Sequence, residues 1–295
     1  LLHETQLLNV LKTVEIANTL VRYLKGKKVT LPYLHQLVTH VEVQQGVVDE
    51  INRVIDEEAQ VKNSASPELS RIRKQISEKR RESDKRFYNY VGELRKLGVL
   101  RENEEGFFNG RRTLAVLSEH KSEVPGLIHS KSESGKTIFV EPGVTIGVNN
   151  DIAELQIDEQ REVNKVLREL CALLRPSAAG LIDGAKILVK ADFIKARAVF
   201  ALDLGANLPL INEKFELSIF SAVHPLLFLQ NKKLGKKTIP LNIDLNAGQR
   251  VLVISGPNAG GKTIALKTIG LLQIMLQSGL LVPVKENSSF CFFEK

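Results

Sequence analysis

The chain of 295 residues has no tryptophan, one methionine and two cysteines, and aromatic residues make up only 5% of it. So few aromatic side chains argue against an all-β sandwich and favour helices rich in aliphatic and charged residues. Cys171 and Cys291 are too few for a disulfide framework or a cysteine-type zinc site, so we expect buried thiols in a cytoplasmic protein. The six histidines show no metal-ligand spacing.

Long uninterrupted apolar runs are also missing. The most apolar late segment, residues 264–284, is broken by Lys267, Gln273 and Gln277, so we expect no membrane span and a soluble protein. The chain starts at Leu1 rather than Met and ends just after an apolar FCFF segment. We therefore expect it to be a piece of a longer protein.

Positive charge is in excess, because 41 Lys and Arg residues against 34 Asp and Glu residues give a net charge of +7. A polyanion is then a plausible partner. The basic run at residues 71–86 is interleaved with acidic residues and is equally typical of a solvated helix face. A second group of basic residues belongs to a predicted β-module and is favoured as a nucleic-acid contact: Arg111, Arg112, Lys121, Lys131 and Lys136.

Apolar residues recur every three or four positions over residues 7–24 and 34–55, which predicts a packed helical body. The Ser-Pro signal at residues 64–67 predicts the start of a long helix that ends near Leu97. The apolar stripe of this helix is interrupted at its middle, so we expect the helix to stand away from the body.

The period of the apolar residues changes to two between residues 98 and 142, which predicts a small β-module. Heptad-like spacing over residues 152–174 predicts a returning helix. We expect the two long helices to pair antiparallel and to carry the β-module at their tip.

The stretch GPNAGGKT matches the phosphate-binding pattern G-x-x-x-x-G-K-[ST] between a β-type run, RVLVIS at residues 250–255, and a helical pattern. Backbone N–H groups of such a turn bind phosphates, the lysine adds a positive charge, and the Thr263 hydroxyl can ligate Mg²⁺. The predicted ATP-binding residues are Gly256, Pro257, Asn258, Ala259, Gly260, Gly261, Lys262 and Thr263.

Phosphoryl transfer also needs an acidic residue on a second strand to hold Mg²⁺. Only Glu286 and Glu294 follow the predicted helix, and neither ends a convincing apolar strand. The GVVDE segment at residues 46–50 lies within a helical period. We therefore assign no catalytic residue and expect nucleotide binding without turnover.

Several of these segments resemble the MutS family. The stretches VISGPNAGGKT, AVHPLL and LLQIMLQSGLLVPV are similar to its P-loop, its His-Pro element and the helix and strand after the P-loop. The stretches NSASPEL, GLIHSKSESGKTIFVEP and NNDIAELQIDEQREVNKVL resemble its second bacterial branch, which lacks the mismatch-recognition and connector domains.

This resemblance implies a multidomain fold, mainly α with an α/β part. The implied segments are a first helical core part at 1–66, a lever helix at 67–98, a β clamp at 99–149, a returning lever helix at 150–175, a second helical core part at 176–214, and the N-terminal part of a P-loop (ABC-type) ATPase domain at 215–295. The resemblance also implies that the adenine is contacted near Ile239 and Pro240. The second acidic motif and a small endonuclease domain are implied to lie beyond Lys295.

The function that the resemblance implies is a homodimeric ATPase that uses ATP and Mg²⁺, clamps branched or duplex DNA and suppresses recombination. A clamp that binds ribosomal RNA on stalled ribosomes is the alternative, because charge alone does not distinguish DNA from A-form RNA. A chromosome-maintenance ATPase is disfavoured, since in that class the P-loop precedes the coiled coil.

Overall fold

The computed structural model describes residues 1–97, 100–133, 135–214, 216–246, 248–249, 251–257 and 260–293, with only the backbone described at residues 101–104. The chain divides into two compact units, Leu1–Ala185 and Lys186–Lys295. None of the helices in the described ranges is both long enough and apolar enough to cross a membrane.

The first unit is mainly helical and contains one small sheet. Its elements are α1 (Glu4–Lys25), α2 (Pro32–Gln36), α3 (Gln45–Val54), α4 (Pro67–Lys96), β1 (Leu100–Phe108), β2 (Arg111–Leu117), β3 (Gly126–Lys131), β4 (Thr137–Pro142), α5 (Gly143–Leu174) and the beginning of α6 (Ala178–Leu204). Short 3₁₀ turns lie at Asn63–Ala65, Ser118–Glu123 and Arg175–Ser177.

A helical body forms where α1 and α3 pack against the C-terminal half of α5. Leu7 and Leu11 of α1, Ile51 of α3 and Leu167 and Leu170 of α5 belong to one buried cluster. The expected helix over residues 34–55 is divided, because α2 ends at Gln36 and α3 begins at Gln45.

The segment between α2 and α3 is held by tertiary contacts rather than by a continuous helix. Val38 and Val41 are buried, and the Gln44 backbone N–H donates to Asn18 Oδ1 at 2.8 Å. These tertiary contacts replace the helical hydrogen bonds that the apolar period predicted.

Helices α4 and α5 pair antiparallel, as expected. Position numbers rise on α4 as they fall on α5 in the side-chain hydrogen bonds that join the helices: Ser66–Glu162, Arg73–Glu159, Lys79–Asp151 and Ser83–Asn149. The Ser66 hydroxyl also caps α4 by accepting from the Leu69 N–H at 3.0 Å. We call this pair of helices the helical hairpin.

The sheet between the two hairpin helices is antiparallel in the order β1-β2-β4-β3. Its core is formed by Phe87, Val91 and Leu94 of α4 against apolar residues of the strands, among them Leu114 and Val140. The β-module is therefore present, with one strand more than the sequence pattern indicated. We call this sheet the tip sheet.

Helix α5 starts earlier than predicted, at Gly143 rather than near residue 152. Pro142 ends β4 and flanks the helix, and the Thr145 hydroxyl donates to the Pro142 carbonyl at 2.9 Å. The extra first turns carry Val148 and Asn149, which are buried. The sequence around them is polar, so the apolar pattern did not indicate a helix there.

The second unit contains the remainder of α6, β5 (Leu210–Asn212), β6 (Leu217–Ala222), α7 (Pro225–Lys233), β7 (Leu241–Leu245), α8 (Lys262–Gln277) and β8 (Ser289–Cys291). Its sheet has the order β5-β8-β6-β7, with β5 and β8 parallel and the other pairs antiparallel. Leu272, Met275 and Leu276 of α8 pack in one buried cluster with Ile219 and Phe290 of the sheet.

The strand predicted at residues 250–255, before the glycine-rich turn, is not formed over residues 251–255, and Arg250 lies outside the described residues. Val251 and Val253 in this segment are 80% and 83% exposed. A β-strand is stabilised by hydrogen bonds to a neighbouring strand. No described strand pairs with residues 251–255, so an apolar, β-branched sequence alone does not make a strand here.

Candidate functional site

The glycine-rich turn leads directly into α8, as a phosphate-binding turn requires. Gly261 flanks the first residue of α8 with φ +81°, and Gly256 has φ +143°. Both angles are in the region that favours glycine. The Gly260 N–H donates to the Pro257 carbonyl at 2.9 Å and closes the turn. Asn258 and Ala259 lie outside the described residues.

The side chain of Lys262 folds back over this turn. Its ammonium group donates to the Gly256 carbonyl oxygen. Thr263 is exposed in the first turn of α8, where the backbone N–H groups have no partner within the helix. Lys262, Thr263 and the helix N-terminus therefore lie at one end of α8, where a phosphate group would find positive charge.

The His-Pro element caps α7 on the same unit. His224 flanks the first residue of α7, and its Nδ1 accepts from the Leu227 N–H at 3.5 Å. Ile239 and Pro240 lie in an exposed segment before β7. Their contact with adenine stays a prediction, as does the binding of Mg²⁺ by Thr263. No group of three or more potential metal ligands occurs in the described part of the chain.

Arg111, at the start of β2, lies beside a fully buried carboxylate. Its Nη1 donates to both carboxylate oxygens of Glu141 at 3.2 Å, and its Nη2 donates to Asn150 Oδ1 at 3.1 Å. His129 Nε2 and Asn149 Nδ2 each lie 2.7 Å from a Glu141 oxygen. Burial alone would raise the pKa of Glu141, but the hydrogen bonds from Asn149, His129 and Arg111 outweigh it and lower this pKa below its ordinary value.

Arg112 is also engaged within the fold. Its Nε donates to Asp84 at 2.7 Å and its Nη1 donates to Glu105 at 3.0 Å. The guanidinium carbon lies 5.1 Å from the ring centre of Tyr88 and 4.9 Å from that of Phe107. In this structure both Arg111 and Arg112 pair with carboxylates of the fold. Contact with nucleic acid stays a prediction for both.

The three predicted lysines are placed differently. Lys121 lies in the 3₁₀ turn after β2, Lys131 ends β3, and Lys136 lies in the turn before β4. All three are exposed, and no ion pair joins them to another described residue. Gly135, next to Lys136, has φ +67°, as expected for a glycine of this hairpin turn.

Several curated proteins are similar to nearly the whole chain. They include Endonuclease MutS2 of Clostridium beijerinckii, 35% identical, Endonuclease MutS2 of Clostridium acetobutylicum, 34% identical, and Endonuclease MutS2 of Alkaliphilus oremlandii, 33% identical, each over 292 residues. The chain belongs to the MutS2 family. The predicted second bacterial branch of the MutS family is thereby confirmed.

The MutS2-family similarity covers 98% of this chain but only 36% of each of these relatives. The chain therefore spans about a third of the length of the curated relatives it matches. No family model matches the chain.

Sequence reasoning on this MutS2-family chain missed the aromatic residues of the tip sheet. Phe107 and Phe108 end β1 next to the turn at Asn109 and Gly110, and Phe107 is 67% exposed. The signal was present in the letters FFNGRR, because Asn-Gly is typical of a tight hairpin turn. The charged start of β1 concealed it.

Proposed function

We propose that this chain is the nucleotide-binding and nucleic-acid-binding part of a MutS-type ATPase. The whole protein would act as a homodimer that clamps branched or duplex DNA and suppresses recombination. The observation that supports this most directly is the P-loop sequence at the start of α8, with Lys262 folded over its glycines, in a chain of the MutS2 family.

The residues around the start of α8 fit a nucleoside triphosphate with Mg²⁺. Gly256 and Gly261 supply turns that a side chain would disfavour, and Lys262 already uses its ammonium group as a donor toward the turn. In this proposal Lys262 and the first N–H groups of α8 bind the phosphates, and the Thr263 hydroxyl binds Mg²⁺. Hydrolysis of the bound nucleotide would release free energy in the whole protein, and we assign no residue of this step among the described ones.

The helical hairpin would act as a lever with the tip sheet as its clamp. The exposed Lys121, Lys131 and Lys136 would contact the phosphate backbone without reading its sequence. Two such hairpins in a homodimer could enclose one duplex. The relatives are named endonucleases, and we extend this activity to the whole protein without assigning a nuclease residue among the described ones.

Replacement of the P-loop lysine tests the nucleotide site. Lys262→Ala should abolish binding of a non-hydrolysable ATP analogue with Mg²⁺ in isothermal titration calorimetry, because the charge that faces the phosphates is removed. Lys267→Ala is the matched control, since Lys267 is an exposed lysine farther along the same helix. Equal affinity of the wild type and Lys262→Ala would contradict the P-loop assignment.

A competition experiment tests the partner. The full-length protein is incubated with labelled four-way DNA junctions and increasing amounts of either ribosomal particles or unlabelled junctions. We expect unlabelled junctions to displace the labelled ones at lower concentration than ribosomal particles do. Displacement by ribosomal particles at lower concentration than by unlabelled junctions would contradict the DNA proposal and favour the ribosome clamp.

A further inference from the structure

A groove of about 910 Å³ lies between the helical hairpin and the β1–β2 turn. Ligand sites typically have volumes of about 300–1,000 Å³, so the groove is large enough for one or two nucleotides. We call it the turn groove. The residues on which the argument depends are Arg80, Phe107, Phe108, Arg112, His129 and Gln156.

One wall of the turn groove is aromatic and exposed. Phe107 is 67% exposed and Phe108 is 37% exposed, although both are in a β-strand. Asn109 and Gly110 have φ of +49° and +75°, the left-handed conformation of a tight hairpin turn that fixes the end of the strand. Neither ring is used to fill the apolar core of the tip sheet.

Both rings are held in place by polar partners. Phe108 stacks on His129, with ring centres 4.8 Å apart and planes inclined by 23°. Phe107 lies against the Arg112 guanidinium, which Asp84 and Glu105 hold by hydrogen bonds. Rings that are fixed in advance lose little freedom when a flat ligand stacks on them.

The opposite wall is polar and cationic. Arg80 of α4 and Gln156 of α5 are exposed, and neither has a hydrogen bond or ion pair with another described residue. Arg80 can therefore bind an anion without breaking an existing pair. The Gln156 amide offers both a donor and an acceptor, as the edge of a nucleobase requires.

We propose that the turn groove binds an unpaired nucleotide of a nucleic-acid strand, with its base stacked on Phe107 and its phosphate bound by Arg80. A nucleotide carries a flat base next to an anionic phosphate, so the base can stack on the aromatic wall while the phosphate binds the Arg80 guanidinium. A paired base inside a duplex has both faces covered by its neighbours, so the groove selects single-stranded segments. The inference rests on the proposed function and narrows it to nucleic acid with unpaired bases.

The test uses the present chain and fluorescence anisotropy with labelled oligothymidylate, oligouridylate and duplex DNA. Phe107→Ala should weaken binding of the single strands by about 5- to 100-fold, the usual contribution of one stacked base. Phe107→Tyr should restore the affinity. Tyr33→Ala removes another exposed aromatic residue, on α2, and should have no effect.

A second pair of variants tests the phosphate contact. Arg80→Gln should weaken binding of the single strands and reduce its salt dependence, whereas Arg168→Gln should change neither. Arg168 is an exposed arginine of α5 outside the turn groove. The two labelled single strands distinguish RNA from DNA as the source of the nucleotide.

The proposal is overturned if Phe107→Ala binds single strands as tightly as the wild type, or if the wild type shows no affinity for them. If the wild type has no affinity for single strands, the exposed aromatic surface would instead be a contact site for a protein partner. Unchanged duplex binding after replacement of Lys121, Lys131 and Lys136 by glutamine would contradict the duplex clamp. If single-strand binding is still lost in Phe107→Ala, the turn groove proposal stands. The two proposals therefore fail separately.

Discussion

Asn149 donates a 2.7 Å hydrogen bond from its Nδ2 to Oε1 of Glu141, and both side chains are buried. The Asn149 Oδ1 accepts from the Ser83 hydroxyl of α4 at 2.8 Å. One asparagine of α5 therefore joins the tip sheet to both helices of the hairpin. Because buried polar groups are costly without partners, this network fixes how the sheet is seated on the helices.

The ionised state of Glu141 should contribute stability that depends on pH. Its pKa in the folded protein lies below the ordinary value of 4.5, so the contribution is present above that value and disappears as the pH falls through the folded pKa. Glu141→Gln should lower the free energy of unfolding by roughly 1–3 kcal/mol at neutral pH. The difference from the wild type should narrow in acid.

Urea unfolding followed by far-ultraviolet circular dichroism measures this effect, since the chain has no tryptophan. Glu154→Gln is the control, because Glu154 is exposed and has no ion pair with another described residue. A difference between Glu141→Gln and the wild type that stays constant from neutral pH into the acid range would contradict the role of the ionised carboxylate.

Gly126 is required by the close approach of β3 to β4. A Cβ at this position would collide with the Glu141 carbonyl oxygen and lie 2.8 Å from Val140 Cγ1. Gly126→Ala should therefore destabilise the protein by about 1–3 kcal/mol through overpacking. Its melting temperature in circular dichroism should fall.

Gly147 in α5 is the matched control, because the same glycine-to-alanine replacement should have the opposite effect on stability there. Nothing lies within 4 Å of a Cβ built there, so Gly147→Ala should stabilise the helix by about 0.5–1 kcal/mol. A Gly126→Ala variant as stable as Gly147→Ala would show that β3 and β4 do not approach each other so closely.

The helical parts of the fold were predictable because their apolar residues carry the period of a helix. The pattern over residues 7–24 indicated α1, which is observed three residues longer at its start, at Glu4–Lys25. The Ser-Pro signal indicated the start of α4 at Pro67. The first turns of α5 were not predictable, because they bury Asn149 in a polar network rather than in an apolar seam. Such burial depends on Glu141 and Ser83, which are distant in sequence from one another.

In the candidate sites, too, features set by local sequence were predictable and features set by tertiary contacts were not. The P-loop motif can be recognised in the sequence because its glycines and Lys262 lie in one contiguous segment, and phosphate binding by it stays a prediction. The strand expected before it depends on neighbouring strands, which a local pattern does not specify. Arg111 and Arg112 looked like free cations in the sequence, yet Glu141, Asp84 and Glu105 engage them through tertiary contacts.

The exposed lysines of the tip sheet should control the salt dependence of DNA binding. Removal of one lysine–phosphate interaction lowers the slope of log affinity against log salt by about 0.9 for duplex DNA. Replacement of Lys121, Lys131 and Lys136 by glutamine should therefore weaken binding and flatten this slope in anisotropy titrations at several salt concentrations. The arginines are left intact because their removal would also break carboxylate pairs.

The matched control replaces Lys12, Lys25 and Lys28 by glutamine, since these lysines are exposed in the helical body. It removes the same charge from the chain but leaves the tip sheet unchanged. If long-range attraction by the net charge explained DNA binding, both triple variants would show the same decrease in affinity. A selective decrease in the tip-sheet variant would instead locate the phosphate-binding residues on the tip sheet, because charges at the interface act within about one Debye length of the DNA surface.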